Sequence, residues 1–198
     1  ISASCALSRR SAANPAAAGS LPRRAGLELL FFGLVRPYKG LDLLLDALAL
    51  CPDVDLHLSI VGEFWSGLDA ARERIARAGL ESRVELVPRH VSDAEAAEYF
   101  ARADALVAPY RAASGSGVLA LAQWYGVPVI ASDVAGLAEA VDDGRTGWLF
   151  PAGDAQALAD VLRHRASRAA AQAMAGELAA LRDSLTWRRL AEAVLQNM

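Results

Sequence analysis

Residues 29–50, LLFFGLVRPYKGLDLLLDALAL, contain the pattern that decides the fold. The stretch 29–35 is continuously apolar, as is typical of a parallel strand that is covered on both faces. Leucines at 41, 44, 45 and 48 lie on one helical face, so their spacing predicts a helix over 41–50. A strand, a glycine-containing loop and a helix in this order form the first part of a βαβ unit.

The same alternation of strand and helix patterns continues along the chain. Ser92 and Glu95 have the spacing of a capping box, and Asp154 is placed to cap a later helix. The alternation predicts an α/β domain with a Rossmann-like, three-layer α/β/α architecture and a parallel sheet of about six strands. The predicted strands are 29–35, 55–62, 84–87, 105–109, 128–131 and 147–150, and the predicted helices include 41–50, 68–78, 92–103, 117–125 and 154–164.

Composition excludes several classes of protein. The chain has 198 residues, of which 54% are apolar and 22% charged, so it is long and apolar enough to form a core. A net charge of -3 gives no global attraction for nucleic acid. Cys5 and Cys51 fit neither a disulfide framework nor a zinc site. No apolar run has the length of a transmembrane helix, and membrane association is not evident, so we expect a cytoplasmic protein, with peripheral attachment to the inner membrane left open.

The ends of the chain differ in composition from the middle. Residues 1–26 are rich in Ala, Ser, Arg and Pro and lack the apolar core of a signal peptide. We interpret them as a poorly ordered remnant of an upstream or interdomain segment of a longer polypeptide. Residues 27–185 are predicted to form the Rossmann-like domain. After a break near 183–186, residues 186–198 are predicted to form a last helix that begins at Trp187.

The loop after the first strand, 33–40, is the first candidate for chemistry. Gly33 lets a ligand approach the backbone, and Arg36 and Lys39 place two cations beside a helix N-terminus, an arrangement that suits a diphosphate. Lys39 is the only lysine among twenty basic residues, so the general preference for arginine is broken at this position alone. The alternative is that both are solvated loop cations.

The loop after the fourth strand, 109–118, is the second candidate. Small residues at 114–117 expose backbone N–H groups at the start of an apolar helix, where the peptide dipoles favour an anion. This pattern is typical of a phosphate-binding loop. The alternative is a tight turn that needs glycine for its geometry.

Other polar residues follow the remaining strands. Glu139 is predicted to lie in the first turn of a helix, where it could serve a ligand or simply complement the dipole. His90, beside Arg89, and Glu63 also follow strands and could reach a cleft, whereas His57 lies within a strand pattern and is expected to be packed. The sequence contains no nucleophilic triad, P-loop or Asp-x-Asp metal motif.

Four stretches together carry a resemblance to a known family: FFGLVRPYKGLDLLLDAL, VGEFW, ADALVAPYRAASGSGVLALAQWYGVPVIASDVAGLAEAVDDGRTGWLFP and TWRRLAEAVL. In this order they resemble the C-terminal, donor-binding domain of a group 1 glycosyltransferase with the GT-B fold. The resemblance runs from about residue 27 to the end of the chain. It implies one of two Rossmann-like domains that face each other across a cleft.

The resemblance also implies a function and a set of site residues. Such a domain binds a nucleoside diphosphate sugar, and transfer usually proceeds with retention and without an obligatory metal or other cofactor. Positive groups must then stabilise the departing diphosphate. The implied catalytic residues are Arg36 and Lys39, and the implied donor-binding residues are Gly33, Glu63, Arg89, His90, Val91, Ser114, Ser116, Gly117, Val118 and Glu139, with the backbone at 89–91 near the base.

The sequence departs from the family pattern at two carboxylates. Many members have two glutamates separated by seven residues, and these positions hold Ala113 and Leu121. Ser114 and Gly115 resemble a branch that reads Ala-Thr-Gln-Ser-Gly in this loop. Gln123 is one candidate for recognition of the sugar or ribose hydroxyls.

The resemblance implies that acceptor recognition belongs to an N-terminal domain absent from this chain, on which the helix at 186–198 would pack. We therefore expect the isolated chain to bind a donor but to transfer poorly or not at all. Two alternatives remain. One is a non-catalytic binding or interaction module that has lost the family carboxylates. The other is an epimerase of GT-B architecture, for which only His90, Glu63 and Glu139 are available.

Overall fold

The protein is described by a computed structural model over residues 21–184. In this part of the chain, six strands form one sheet in which all neighbouring strands are parallel. They are β1 (Leu27–Phe32), β2 (Leu56–Val61), β3 (Val84–Val87), β4 (Ala105–Ala108), β5 (Val129–Ser132) and β6 (Gly147–Phe150). Their order across the sheet is β3-β2-β1-β4-β5-β6, which confirms the Rossmann-like prediction.

Helices cover both faces of the sheet. They are α1 (Leu41–Leu50), α2 (Leu68–Arg77), α3 (Asp93–Arg102), α4 (Gly117–Tyr125), α5 (Ala135–Ala138), α6 (Ala155–His164), α7 (Arg168–Ala173) and α8 (Ala175–Ser184). Apolar residues of α1, α2 and α6 pack on one face, and those of α3, α4 and α5 pack on the other. The predicted three-layer α/β/α architecture is therefore confirmed.

Local sequence signals account for most of the boundaries. Helices α1 and α4 begin and end where their spacing predicts. The capping box is present, because the Ser92 hydroxyl accepts from the Glu95 N–H and the Glu95 carboxylate accepts from the Ser92 N–H. Strand β1 ends at Phe32, three residues earlier than predicted, because Gly33 turns the chain with a φ of 91°.

The strand order places a topological switch point between β1 and β4. The two strands are neighbours, but their crossover helices α1 and α4 lie on opposite faces of the sheet. The loops after β1 and β4 therefore leave the same edge of the sheet in different directions. In open α/β sheets, this is the place where a crevice forms and ligands bind.

Residues 21–26 contact the domain through polar groups. The Arg23 guanidinium pairs with the Asp104 carboxylate, and the Arg24 N–H donates to Glu28 Oε1 at 2.7 Å. The predictions for residues 1–20, including Cys5, and for the helix from Trp187 lie outside the described residues. Within residues 21–184, no helix has both the length and the apolar character needed to cross a bilayer.

Candidate functional site

The loops after β1 and β4 are in direct contact. A Cβ atom at Gly40 would lie 2.0 Å from the Pro109 carbonyl oxygen, so only glycine permits the two backbones to approach this closely. The Arg111 N–H donates to the Tyr38 carbonyl at 2.7 Å, and the Arg111 guanidinium forms two hydrogen bonds with Asp42. The two candidate loops, 33–40 and 109–118, therefore form one unit.

Lys39 lies inside this unit. It ends a 3₁₀ turn that begins at Pro37, and only 6% of its surface is exposed. Its ammonium group lies 3.4 Å from the Phe32 carbonyl oxygen and 5.6 Å from the centre of the Tyr110 ring. A Cβ atom at Gly33 would lie 3.3 Å from Lys39 Nζ and 3.2 Å from a methyl group of Val118, so the ammonium lies close to the start of α4.

The surroundings of Lys39 change its proton affinity. Burial, reinforced by the positive charge of Arg36, lowers the pKa of Lys39 from 10.5 to about 8. Its only hydrogen-bond acceptor at this distance is the neutral Phe32 carbonyl among the described residues, and it forms no ion pair there. An anionic ligand would therefore supply the negative charge that the surroundings of this ammonium lack.

The N-terminus of α4 faces the same loop. Ser116 is the N-cap, but its side chain does not accept a capping hydrogen bond, and no acidic residue lies in the first turn of the helix. A Cβ atom at Gly115 or Gly117 would meet no atom within 4 Å, so the space beside both backbones is open. Backbone N–H groups at the start of a helix, together with its dipole, suit an anion.

A third loop supports the second. A Cβ atom at Gly136 would lie 2.3 Å from the Ser114 carbonyl carbon, and the Gly136 N–H donates to the Ala113 carbonyl at 3.2 Å. The start of α5 therefore packs directly against the loop that precedes α4. This packing fixes the path of the small residues at 114–116.

Arg36 points to a different part of the surface. Its guanidinium carbon lies 5.0 Å from the centre of the Trp65 ring, and Trp65 is 72% exposed. Arg36 also lines a groove of about 630 Å³ between α1 and α2, whose lining includes neither Lys39 nor residues 116–118. The structure therefore separates the directions of the two predicted cations, although the charge of Arg36 still acts on Lys39.

Glu63 is brought beside the loop after β1. Its carbonyl accepts from the Val35 N–H at 2.7 Å, and Phe64 forms a parallel bridge with Val35. The Glu63 side chain is exposed. The loop after β2 therefore lies next to the loop after β1, at the carboxyl edge of the sheet.

The residues after β3 lie farther along this edge. Arg89 pairs with Glu95 at 2.6 Å and also donates to the His90 carbonyl at 3.0 Å. The Arg89 hydrogen bond, together with the capping contacts of Ser92, lowers the pKa of Glu95 to about 2. The His90 side chain is exposed, whereas the Val91 side chain is part of the core.

One sequence prediction is wrong in its local structure. Glu139 does not lie in the first turn of a helix, because α5 is a single turn that ends at Ala138, and Glu139 is its C-cap. Its side chain lines a separate hollow with Arg145 and Glu177, away from the loops after β1 and β4. Gln123 is buried and donates to the Ala140 carbonyl at 2.8 Å, so this amide group holds the loop after α5 in place.

Sequence reasoning did not single out Tyr110, which is at the centre of the site. It is 3% exposed and lies against Lys39, Tyr38 and Ser116. The sequence feature that could have indicated Tyr110 is its position directly after a buried strand, in a loop predicted to bind an anion. Among residues 21–184, no group of three His, Cys, Asp or Glu side chains could hold a metal ion.

Known proteins share the sequence pattern and the fold of this chain. The family described as "Glycosyl transferases group 1" matches residues 26–167. The D-inositol 3-phosphate glycosyltransferase of an Arthrobacter species is 35% identical over 175 residues, which cover 85% of this chain and 41% of that protein. The phosphatidyl-myo-inositol mannosyltransferase of Mycobacterium leprae is 38% identical over 144 residues, covering 70% of this chain and 37% of that protein.

Solved structures agree with this result. The crystal structure of Anabaena HepE in complex with UDP-glucose superimposes with a TM-score of 0.65 and 25% identity, covering 87% of this chain and 49% of that one. The chain thus spans less than half the length of these two curated relatives and about half of the HepE chain. Its Rossmann-like domain corresponds to one half of a GT-B glycosyltransferase, and the chain belongs to the group 1 glycosyltransferases.

Proposed function

We propose that this domain binds the nucleoside diphosphate sugar donor of a glycosyltransferase, for transfer to an acceptor held by an N-terminal domain of the same polypeptide. The observation that carries the proposal is the position of Lys39. It is a buried ammonium without an ion-pair partner among the described residues, and it lies close to the N-terminus of α4.

The diphosphate would lie between Lys39 and the start of α4. The N–H groups at Ser116, Gly117 and Val118 would donate to phosphate oxygens, and the open space beside Gly117 leaves room for them. When the bond between the sugar and the diphosphate breaks, negative charge develops on the leaving group. A cation and fixed N–H dipoles at that position stabilise this charge most strongly in the transition state.

The other predicted residues take supporting roles in this proposal. Arg36 would act through its charge at longer range, because its guanidinium lies over Trp65 in the conformation described, although its charge still affects Lys39. Gly33 admits the donor beside Lys39, and Ser114 and Glu63 border the same edge of the sheet. The backbone at 89–91 would meet the base.

One predicted donor-binding residue, Glu139, lines a different hollow. Glu139 would need to reach the sugar from the end of α5, which lies beside a separate hollow.

The proposed donor class agrees with the UDP-glucose bound by HepE and with the glycosyltransferase names of the relatives.

The test is calorimetric titration of the chain with UDP, GDP and ADP and with their sugars. We expect saturable binding of at least one of them. Lys39→Met should weaken this binding by at least about 10-fold, because it removes a charged partner of the diphosphate. Arg36→Met should have a smaller effect, because the Arg36 guanidinium is exposed and screened by water.

Arg72→Met is the matched control. It removes the same charge from an exposed position on α2, where Asp69 is the ion-pair partner of Arg72 within the described part of the chain. Its affinity should equal that of the wild type. The absence of saturable binding for all three nucleotides would overturn the proposal and favour the non-catalytic interaction module. A Lys39→Met affinity equal to that of Arg72→Met would remove Lys39 from the site.

A further inference from the structure

Tyr110 links the two halves of the site described above. It is the second residue after β4, and its side chain is buried. One face of its ring lies toward the Lys39 ammonium, at 5.6 Å from the ring centre. This distance is within the range of an attractive cation–π interaction. The Tyr110 ring therefore contacts the buried Lys39 ammonium through a cation–π interaction.

The Tyr110 hydroxyl reaches the other half of the site. Its oxygen lies 3.5 Å from the Ser116 hydroxyl oxygen, and Ser116 is the N-cap of α4. The Ser116 side chain makes no capping hydrogen bond to its own helix, so the Tyr110 hydroxyl is its polar contact at this position. The same tyrosine thus contacts both the cation and the helix start that would hold a diphosphate.

One neighbour holds the Tyr110 backbone in place, and another packs against its ring. The buried Ser132 hydroxyl donates to the Tyr110 carbonyl from β5. The Tyr38 ring packs edge-on against the Tyr110 ring at a centroid distance of 5.7 Å and an angle of 85°. Burial raises the pKa of Tyr110, so its hydroxyl keeps its proton over the pH range in which Lys39 titrates.

We propose that Tyr110 is a positioning residue for donor binding: its ring orients the Lys39 ammonium and its hydroxyl orients Ser116 at the N-terminus of α4. Tyr110 itself need not touch the diphosphate. Its role in binding rests on the proposed function. Its contact with Lys39 does not, because that contact exists in the ligand-free chain.

The single lysine of the chain permits a test without ligand. In protein labelled with ¹³C-lysine, all lysine side-chain NMR signals come from Lys39. Its Hε protons should show a ring-current shift that is kept in Tyr110→Phe and lost in Tyr110→Leu. Ser116→Ala should leave the shift unchanged. If Tyr110→Leu does not fold, an NOE between the Lys39 Hε protons and the Tyr110 ring in the wild type provides the same information.

Nucleotide binding tests the functional part. Using the nucleotide that the wild type binds best, Tyr110→Phe and Ser116→Ala should each weaken binding by about 3-fold, as expected for a neutral hydrogen bond. The double variant should be no weaker than either single variant. Tyr110→Leu should weaken binding by about 10-fold in the wild type but by only about 3-fold in the Lys39→Met background, because the ring acts through Lys39 whereas the hydroxyl acts through Ser116.

The outcomes separate the two proposals. If the wild type binds no nucleotide, the proposed function fails, and the role of Tyr110 in binding fails with it. If nucleotide binds but Tyr110→Leu and Lys39→Met weaken binding additively, Tyr110 does not act through Lys39, and its positioning role is overturned. Absence of both the ring-current shift and the NOE would overturn the contact itself.

Discussion

Lys39 is the residue at which stability and function oppose each other. A buried ammonium without an ion-pair partner among the described residues lowers the stability of the fold, because it has lost the solvation that it has in the unfolded chain. The same lack of a partner prepares the site for an anion. This opposition is common at binding sites, where a strained or unpaired group persists because a ligand completes it.

The pKa of Lys39 leads to a pH dependence of binding. Because burial and the charge of Arg36 lower this pKa to about 8, the ammonium that we propose binds the diphosphate is lost as the pH rises through 8. We expect nucleotide affinity measured by calorimetry to be constant from pH 7 to 7.5 and to decline toward pH 9.5. In Lys39→Met the affinity should be low and nearly independent of pH over the same range.

The stability of the ligand-free chain should change in the opposite direction. Between pH 8 and 10.5 the unfolded chain binds more protons at Lys39 than the folded chain does, so this residue raises the free energy of unfolding as the pH increases.

For the affinity prediction, a wild-type affinity unchanged up to pH 9.5 would contradict the role of the Lys39 charge in binding.

At the level of elements, the site depends on two loops that cross at Gly40. This glycine has a φ of 68°, and any Cβ would overlap the Pro109 carbonyl. The crossing holds the 3₁₀ turn of Lys39 against the loop that leads to α4. Without this close approach, the Lys39 ammonium and the N-terminus of α4 would not be held next to each other.

The crossing can be tested with a pair of glycine variants. Gly40→Ala introduces both a positive-φ side chain and a clash, and it should lower the free energy of unfolding by about 3 kcal/mol or more. Gly67→Ala is the control, because Gly67 has a φ of 81° but no atom within 4 Å of its Cβ position. It should cost about 1 kcal/mol. Equal losses in urea unfolding would show that the close approach to Pro109 contributes nothing.

At the level of the whole molecule, a buried charged cluster joins the start of β1 to the edge of the sheet. Glu28 is 1% exposed, and its Oε2 lies 3.9 Å from Arg102 Nε. Arg102 also donates to Ser59 at 2.6 Å and pairs with Glu85. Burial alone would raise the pKa of Glu85, but the hydrogen bond and charge of Arg102, with those of Arg24, hold it below its usual value.

This cluster should matter more for stability than any exposed ion pair of the domain. Arg102→Met leaves the Glu28 and Glu85 carboxylates without their buried cation, so we expect a loss of about 3 kcal/mol in the free energy of unfolding at pH 7. Arg72→Met, which breaks an exposed pair with Asp69, should cost less than about 0.5 kcal/mol. Addition of Glu28→Gln to Arg102→Met should restore part of the loss. Similar stability of the two single variants would contradict this assignment.

The fold was largely predictable because its signals are local. The continuous apolar strands, the leucine spacing of α1 and the capping box of α3 each depend on residues within one turn or one strand. The parallel six-stranded sheet followed from the alternation of elements, since few topologies satisfy parallel βαβ units, whereas the order of the strands came from the structure. The same applies to the loops, because parallel strands bring their carboxyl ends to one edge.

The direction of individual side chains was not predictable in the same way. The single turn of α5 and the structural hydrogen bond of Gln123 both depend on contacts with other segments of the chain. Sequence alone therefore determined the architecture and predicted the loops in which we propose that a diphosphate binds. Only the tertiary structure decided that Lys39 turns inward over Tyr110 while Arg36 turns outward over Trp65, because burial and ring contacts arise from packing between loops far apart in the chain.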